Sequence, residues 1–166
     1  ETRMLQQYFR ARLETAVGTD IAPSRFCVVT DAGTELDQYA GGNCLRAVFH
    51  GDADVGGRFS ALTYFGMLPV AVMGCDVESF LVKAKSMADA CRPNNSGVQN
   101  PGVRLGLLLG HAANVGRNKL TLAISPSLSG FGAWIEQLVA ESTGKSGRGV
   151  IPVEGEVLGA PDVYGS

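Results

Sequence analysis

Short β-rich runs recur in this sequence, each set apart from the next by a stretch long enough for a helix. Phe26-Cys27-Val28-Val29-Thr30 stops at Asp31-Ala32-Gly33, and Leu45 to Phe49 is a second such run. Lys119 to Ile124 and Val150 to Val153 are two more. Runs this short and this apolar read as strands buried on both faces rather than as half-exposed ribbons. Between and around them the period changes to that of a helix. Leu5, Tyr8, Phe9, Leu13 and Val17 fall on one helical face of residues 3 to 17. Thr34 to Ala40 reads as a short helix ended by Gly41-Gly42. Phe80, Leu81, Ala84, Met87 and Ala88 make Val77 to Cys91 amphipathic, and Asn100-Pro101 opens a helix through Leu105, Leu108 and Leu109 towards Gly116. Phe131, Trp134, Ile135, Leu138 and Val139 form an apolar stripe on residues 131 to 143. Strands joined by helical crossovers imply an α/β fold with a mostly parallel sheet and flanking helices.

Two stretches depart from that alternation. Gly57 to Met73 is helical in pattern but apolar nearly all round, which predicts an interior segment with Pro69 as a kink or a fresh start. Arg92-Pro93-Asn94-Asn95-Ser96-Gly97 is a turn cluster and the best linker in the chain. No internal repeat or low-complexity tract occurs.

The chain has 166 residues, 45% hydrophobic and 18% charged, and 14 basic against 16 acidic side chains give a net charge of -2. That is an ordinary globular balance, and it lacks the basic stripe that binding a polyanionic duplex requires, so nucleic acid is not an expected partner. The most apolar stretch, Ala61 to Cys75, is broken by Thr63, Gly66, Pro69 and Gly74 and falls short of a bilayer span, so a soluble protein is expected. Cys27, Cys44, Cys75 and Cys91 show no C-x-x-C pairing, and buried reduced thiols are expected rather than a metal site or disulfides. With no signal peptide, this suggests the cytoplasm. The first residues are Glu1-Thr2, without an initiator Met, as in a piece of something longer.

Few residues suggest chemistry on local grounds. Gly56-Gly57-Arg58-Phe59-Ser60 sits at a loop-to-helix junction, where paired glycines let a ligand approach the backbone and N–H groups point outward, a plausible anion cradle. A Gly-Gly before a helix is nevertheless a plain turn in most proteins, and an Arg there is more often a solvated cap. Gln137 and Glu141 lie four apart on one helix, so both side chains can reach one point. Glu141 falls in the last turn, where the helix's negative end disfavours a carboxylate, which suits a base more than it suits stability. An exposed helical pair is the plainer reading. His50 and His111 have no ligand-like companions and read as satisfied histidines, and Asp52 and Asp54 alone supply too few oxygens for a cation. No metal or other cofactor is implied.

Together the local signals are more specific. Asp54-Val55-Gly56-Gly57-Arg58-Phe59-Ser60-Ala61-Leu62, followed by Gly66-Met67-Leu68-Pro69, closely resembles the V-G-G-R-[FY]-S signature of the glucose-6-phosphate isomerase family. Trp134-Ile135-Glu136-Gln137-Leu138-Val139-Ala140-Glu141-Ser142-Thr143-Gly144-Lys145 resembles that family's W-x-x-Q-L-x-x-E-S-x-G-K segment, and Gly149-Val150-Ile151-Pro152-Val153 its following strand. With Asn100-Pro101-Gly102-Val103 and Gly116-Arg117-Asn118-Lys119-Leu120-Thr121, the wording is most similar to the isomerase portion of bacterial transaldolase/phosphoglucose isomerase fusions. The resemblance covers essentially the whole chain but only a middle slice of the family's. Glu1-Thr2 looks like the end of its S-K-[ST]-x-T-T-x-E-T phosphate loop. The rest of that loop and the first Gly-Gly-Ser loop are expected upstream, and the ring-opening histidine and C-terminal lysine downstream of Ser166.

The resemblance implies two sugar-isomerase (SIS) domains of flavodoxin-like type, with residues 1–56 ending the first, 57–97 a helical crossover, and 98–166 beginning the second. It implies interconversion of glucose 6-phosphate and fructose 6-phosphate through a cis-enediolate. Glu141 would be the base, Arg58 the cation facing the developing oxyanion, and Gly57 and Gln137 substrate contacts. The expected partners are a sugar phosphate and, in the parent, further copies of the same chain. A noncatalytic sugar-phosphate-binding module on the same scaffold is the alternative; Glu141 with Arg58 is what such a module has no reason to keep.

Overall fold

The computed structural model describes residues 2–95 and 97–164. Two compact units divide the chain, Glu1–Lys83 and Ala84–Ser166.

The first unit begins with helix α1, Thr2–Val17, and a 3-10 turn, Ala22–Arg25. Strand β1, Cys27–Thr30, helix α2, Glu35–Gly42, and strand β2, Ala47–His50, follow as a βαβ unit. β1 and β2 pair in parallel, with Cys27 opposite Ala47 and Thr30 opposite His50. Thr34 caps α2 by accepting a hydrogen bond from the Asp37 amide at 3.2 Å. Arg10 ties α1 to α2: its guanidinium donates to Glu14 at 2.7 Å, to the Tyr39 hydroxyl, and to Asn43 Oδ1 at 3.2 Å. After β2 come a 3-10 helix, Gly57–Leu62, and helix α3, Tyr64–Val72, which contains Pro69. Helix α4, Val77–Ala90, runs across the boundary, and Asp76 caps it by accepting from the Ser79 amide at 3.0 Å.

The second unit repeats the plan. Helix α5, Pro101–Asn114, is capped by Asn100, whose Oδ1 accepts from the Val103 amide at 3.1 Å while its Nδ2 donates to the Arg92 carbonyl at 3.2 Å. Those two bonds are what allow Asn100 to be buried. Strand β3, Lys119–Leu122, and strand β4, Ile151–Glu154, pair in parallel, Lys119 opposite Ile151, with helix α6, Ser129–Thr143, as the crossover. α6 lies close on β4: a Cβ at Gly132 would collide with the Glu154 side chain and lie 2.9 Å from Ile124 Cδ1.

The α/β reading and the helix over 131 to 143 are therefore present, and several sequence expectations need correction. The strands form two separate two-stranded parallel sheets, not one sheet. α2 ends with the Gly41-Gly42 pair, as its sequence suggests, two residues beyond Ala40. The stretch from Gly57 to Met73 is neither one helix nor interior. Thr63 breaks it, and Phe59, Leu62, Tyr64, Phe65, Val72 and Met73 are all exposed. The strands are only partly buried, with Val28, Thr30 and Pro152 their buried members. All four cysteines are free, as expected, but exposed. The exposure of the strands and of the apolar residues beside them has one cause. A two-stranded parallel sheet has two faces and two edges to cover, and one or two helices cannot cover them.

Candidate functional site

The predicted residues fall into two groups, one in each unit, and each group is described within its own.

In the first unit, Gly57 and Arg58 open the 3-10 helix Gly57–Leu62. Gly56 is extended (φ -61°, ψ 152°) and its carbonyl accepts from the Phe59 amide at 2.9 Å, so the chain turns sharply at the pair. The Ser60 hydroxyl donates to the Gly57 carbonyl at 2.7 Å and tightens that turn. A Cβ at Gly56 or Gly57 would meet no atom within 4 Å. No packing among the described residues forbids a side chain at either position, so among them the space beside the pair is open. Behind the turn, α3 closes in so tightly that a Cβ at Gly66 would collide with the Ala61 backbone.

In the second unit, Gln137 and Glu141 are brought together as their spacing predicts: Gln137 Nε2 donates to Glu141 Oε1 at 3.2 Å. Both side chains are exposed, while Ile135, Leu138 and Val139 are turned further inward. Trp134 is 42% exposed and stacks on Phe131, with ring centroids 5.3 Å apart. The end of α6 is held by a turn that folds back on it. Lys145 and Arg148 bridge across Ser146-Gly147, and Thr143 Oγ1 accepts from the Val150 amide at 3.0 Å while donating to the Val139 carbonyl at 2.8 Å. Glu141 thus stands on the last, pinned turn of a helix, with an amide donor on its carboxylate.

Sequence reasoning missed one cluster. At the carboxyl ends of β1 and β2, His50 Nε2 lies 2.8 Å from Asp37 Oδ1, and Asp37 Oδ2 accepts from the Gly33 amide at 2.8 Å. These bonds hold the Asp37 carboxyl below the usual carboxylate range, the Gly33 amide more than the His50 ring. The Thr30 and Thr34 hydroxyls share a hydrogen bond of 2.7 Å beside them. A lone His after an apolar run and an Asp in a helix's first turn give no sign in sequence that they will meet. His50 is thus a satisfied histidine, as the plainer reading had it, and Asp52 accepts from the Asp54 amide at 3.0 Å in a local turn. Among the described residues no group of three or more His, Cys, Asp or Glu is placed to hold a metal ion. No helix among them is long and apolar enough to cross a membrane.

A cavity of about 570 Å³ contains none of the predicted site residues. It lies between α1, β1 and α2 against Phe9, Val28, Leu36 and Tyr39, and is the uncovered apolar side of the first sheet.

No protein-family model matches the chain. Comparison with curated proteins finds glucose-6-phosphate isomerases of Bacillus anthracis, Bacillus thuringiensis (strain Al Hakam) and Bacillus cereus (strain AH820). Each is 30% identical over 153 residues, which is 92% of this chain and 34% of the relative. The chain spans about a third of the length of the curated relatives it matches, and what it is similar to over nearly all of its own length is glucose-6-phosphate isomerase.

Proposed function

We propose that this chain is part of a glucose-6-phosphate isomerase, carrying the end of one SIS domain in residues 1–56, a crossover in 57–97 and the start of a second SIS domain in 98–166. Moving a proton between C2 and C1 of an aldose phosphate needs one base over both carbons and a positive group at the oxygen where charge develops. Glu141 is the base and Arg58 the positive group. Gln137 orients the Glu141 carboxylate and contacts the sugar, and Gly57 offers its backbone beside Arg58. A carboxylate suits the task because it takes the proton from one carbon and returns it to the other. The substrate is a sugar phosphate, the parent is a cytoplasmic homo-oligomer, and the wording of the motifs favours a transaldolase fusion as its source.

One observation carries this reading. A match of 153 residues leaves so little of the chain outside it that the Gly57-Arg58 and Gln137-Glu141 segments both fall inside the similarity to named isomerases. The test is a coupled assay on the polypeptide extended to isomerase length, following fructose 6-phosphate into glucose 6-phosphate. A fall in turnover of ~100-fold or more in Glu141→Gln is the expected result. Binding of either sugar phosphate with no turnover in the unaltered protein would overturn it in favour of a noncatalytic sugar-phosphate-binding module.

A further inference from the structure

We propose that Asp37 and His50 are positioning residues for the segment that presents Gly57 and Arg58. Why that segment matters rests on the isomerase reading; the mechanical role does not.

The pair stands where the loop to Arg58 leaves the sheet. His50 is the last residue of β2, and Asp37 is in the first turn of α2, itself fixed by the Gly33 amide and the Thr34 cap. Their 2.8 Å contact therefore clamps the start of the loop to the helix crossing behind it. The next residue is held as firmly. The Gly51 amide donates to the Thr30 carbonyl at 2.9 Å, and a Cβ at Gly51 would lie 2.5 Å from Asp31 Oδ1 and 2.7 Å from Phe65 Cε2, so a side chain there would have to displace both. From there the chain reaches Arg58 through short turns with no slack. Asp52 Oδ1 accepts from the Asp54 amide at 3.0 Å, the Asp52 carbonyl from Val55 at 3.0 Å, and the Gly56 carbonyl from Phe59 at 2.9 Å. On the far side, Phe49 and Tyr64 rings meet at 5.2 Å and Phe65 backs Gly51, so α3 closes the same frame. The Asp37–His50 contact joins two side chains distant in sequence by a charge-assisted bond, which makes it a point where a substitution loosens the loop and leaves the strands paired.

Amide hydrogen exchange on the 166-residue chain reads this directly, since local opening sets the exchange rate of each protected amide. Asp37→Ala is expected to speed exchange at Gly51, Asp54, Val55 and Phe59 by about fivefold or more, with the β1 and β2 amides within twofold of the unaltered chain. Asp37→Asn keeps one oxygen to accept from the Gly33 amide and presents an Nδ2 donor to His50 Nε2, so it should restore most of the protection. His50→Gln, which keeps a donor, should do the same, and His50→Ala, expected to speed the same amides, covers the case in which Asp37→Ala fails to fold. Unchanged loop exchange in Asp37→Ala and in His50→Ala would overturn the proposal. So would strand amides that accelerate in step with the loop, because the pair would then only hold the sheet. An inactive isomerase-length protein whose loop still responds would count against the reading of Arg58 and not against the clamp.

Discussion

Glu141 has a carboxylate held by Gln137 at 3.2 Å on a helical turn that the Thr143 to Val150 bonds keep from fraying. A carboxylate acting as the proposed base loses that function when its charge is removed and its shape kept. In the isomerase-length protein, Glu141→Gln should preserve substrate binding and lower turnover by ~100-fold or more, read from kcat and KM in a coupled assay. Arg58→Ala should cost about 2.7 to 4 kcal/mol of transition-state stabilisation, the scale of one lost donor to a developing oxyanion, seen as a fall in kcat/KM. The Gln137-Glu141 contact was legible in sequence because helical spacing alone fixes it. The Asp37–His50 contact was not, since it depends on β1 and β2 pairing in one particular register, which brings His50 opposite Thr30. Local spacing carries information about neighbours on one element and none about residues that meet through a sheet.

Elements were legible where a period or a cap was present. Asn100-Pro101 announced α5, and the Trp134-Leu138 stripe announced α6. The break at Thr63 was hidden because Gly57 to Met73 is apolar all round and gives no phase from which a boundary could be read. That junction makes a specific demand: the Ala61 backbone leaves no room for a Cβ at Gly66. Gly66→Ala should therefore destabilise the first unit by about 1–3 kcal/mol, despite alanine's better helix propensity, as a lower midpoint in urea. Acid should act through the carboxylates that hold helix starts. Asp37 and Asp76 are both held below the usual carboxylate range, each chiefly by a backbone amide, Gly33 and Ser79 respectively. A carboxylate whose folded value is depressed contributes stability that is fully present above its unfolded value, roughly pH 4, and lost as pH falls through the folded one. The urea midpoint should hold above about pH 5 and decline below about pH 4, and the decline should be shallower in Asp37→Asn.

At the scale of the whole molecule the governing quantity is exposed area. The chain leaves 12595 Å² accessible, against ~7,900 Å² for a compact monomer of this mass and ~9,500 Å² even for two separate globules of half the mass. Residues that the sequence pattern marks as core, such as Phe9, Phe59, Phe80 and Trp134, are exposed in consequence. Hydrophobic periodicity reports which face a segment is built to bury and says nothing about whether the layer that buries it is present, which is why the order of elements was readable and the burial was not. The isolated chain should accordingly bind a hydrophobic dye such as ANS and unfold with a urea slope about a quarter below that of a compact protein of its length, since ~12,600 Å² instead of ~17,300 Å² remains to be exposed.

The same shortage bears on activity. Arg58 and Glu141 belong to different units, and by the resemblance the rest of the phosphate loop and the ring-opening histidine lie outside residues 1–166. A dianionic sugar phosphate would have to be held by Gly57, Arg58 and Gln137 without the remote contacts that fix it for proton transfer. Binding energy away from the reacting carbons is what normally meets the entropy of holding substrate and base in register, an advantage of about 7–11 kcal/mol when complete. The purified 166-residue chain should therefore show no turnover above background in the assay that the isomerase-length protein is expected to pass, and isothermal titration with fructose 6-phosphate should give little or no heat. Turnover approaching the parent's would mean that residues within the chain hold the phosphate, and the placement of the phosphate loop upstream of Glu1 would have to be abandoned.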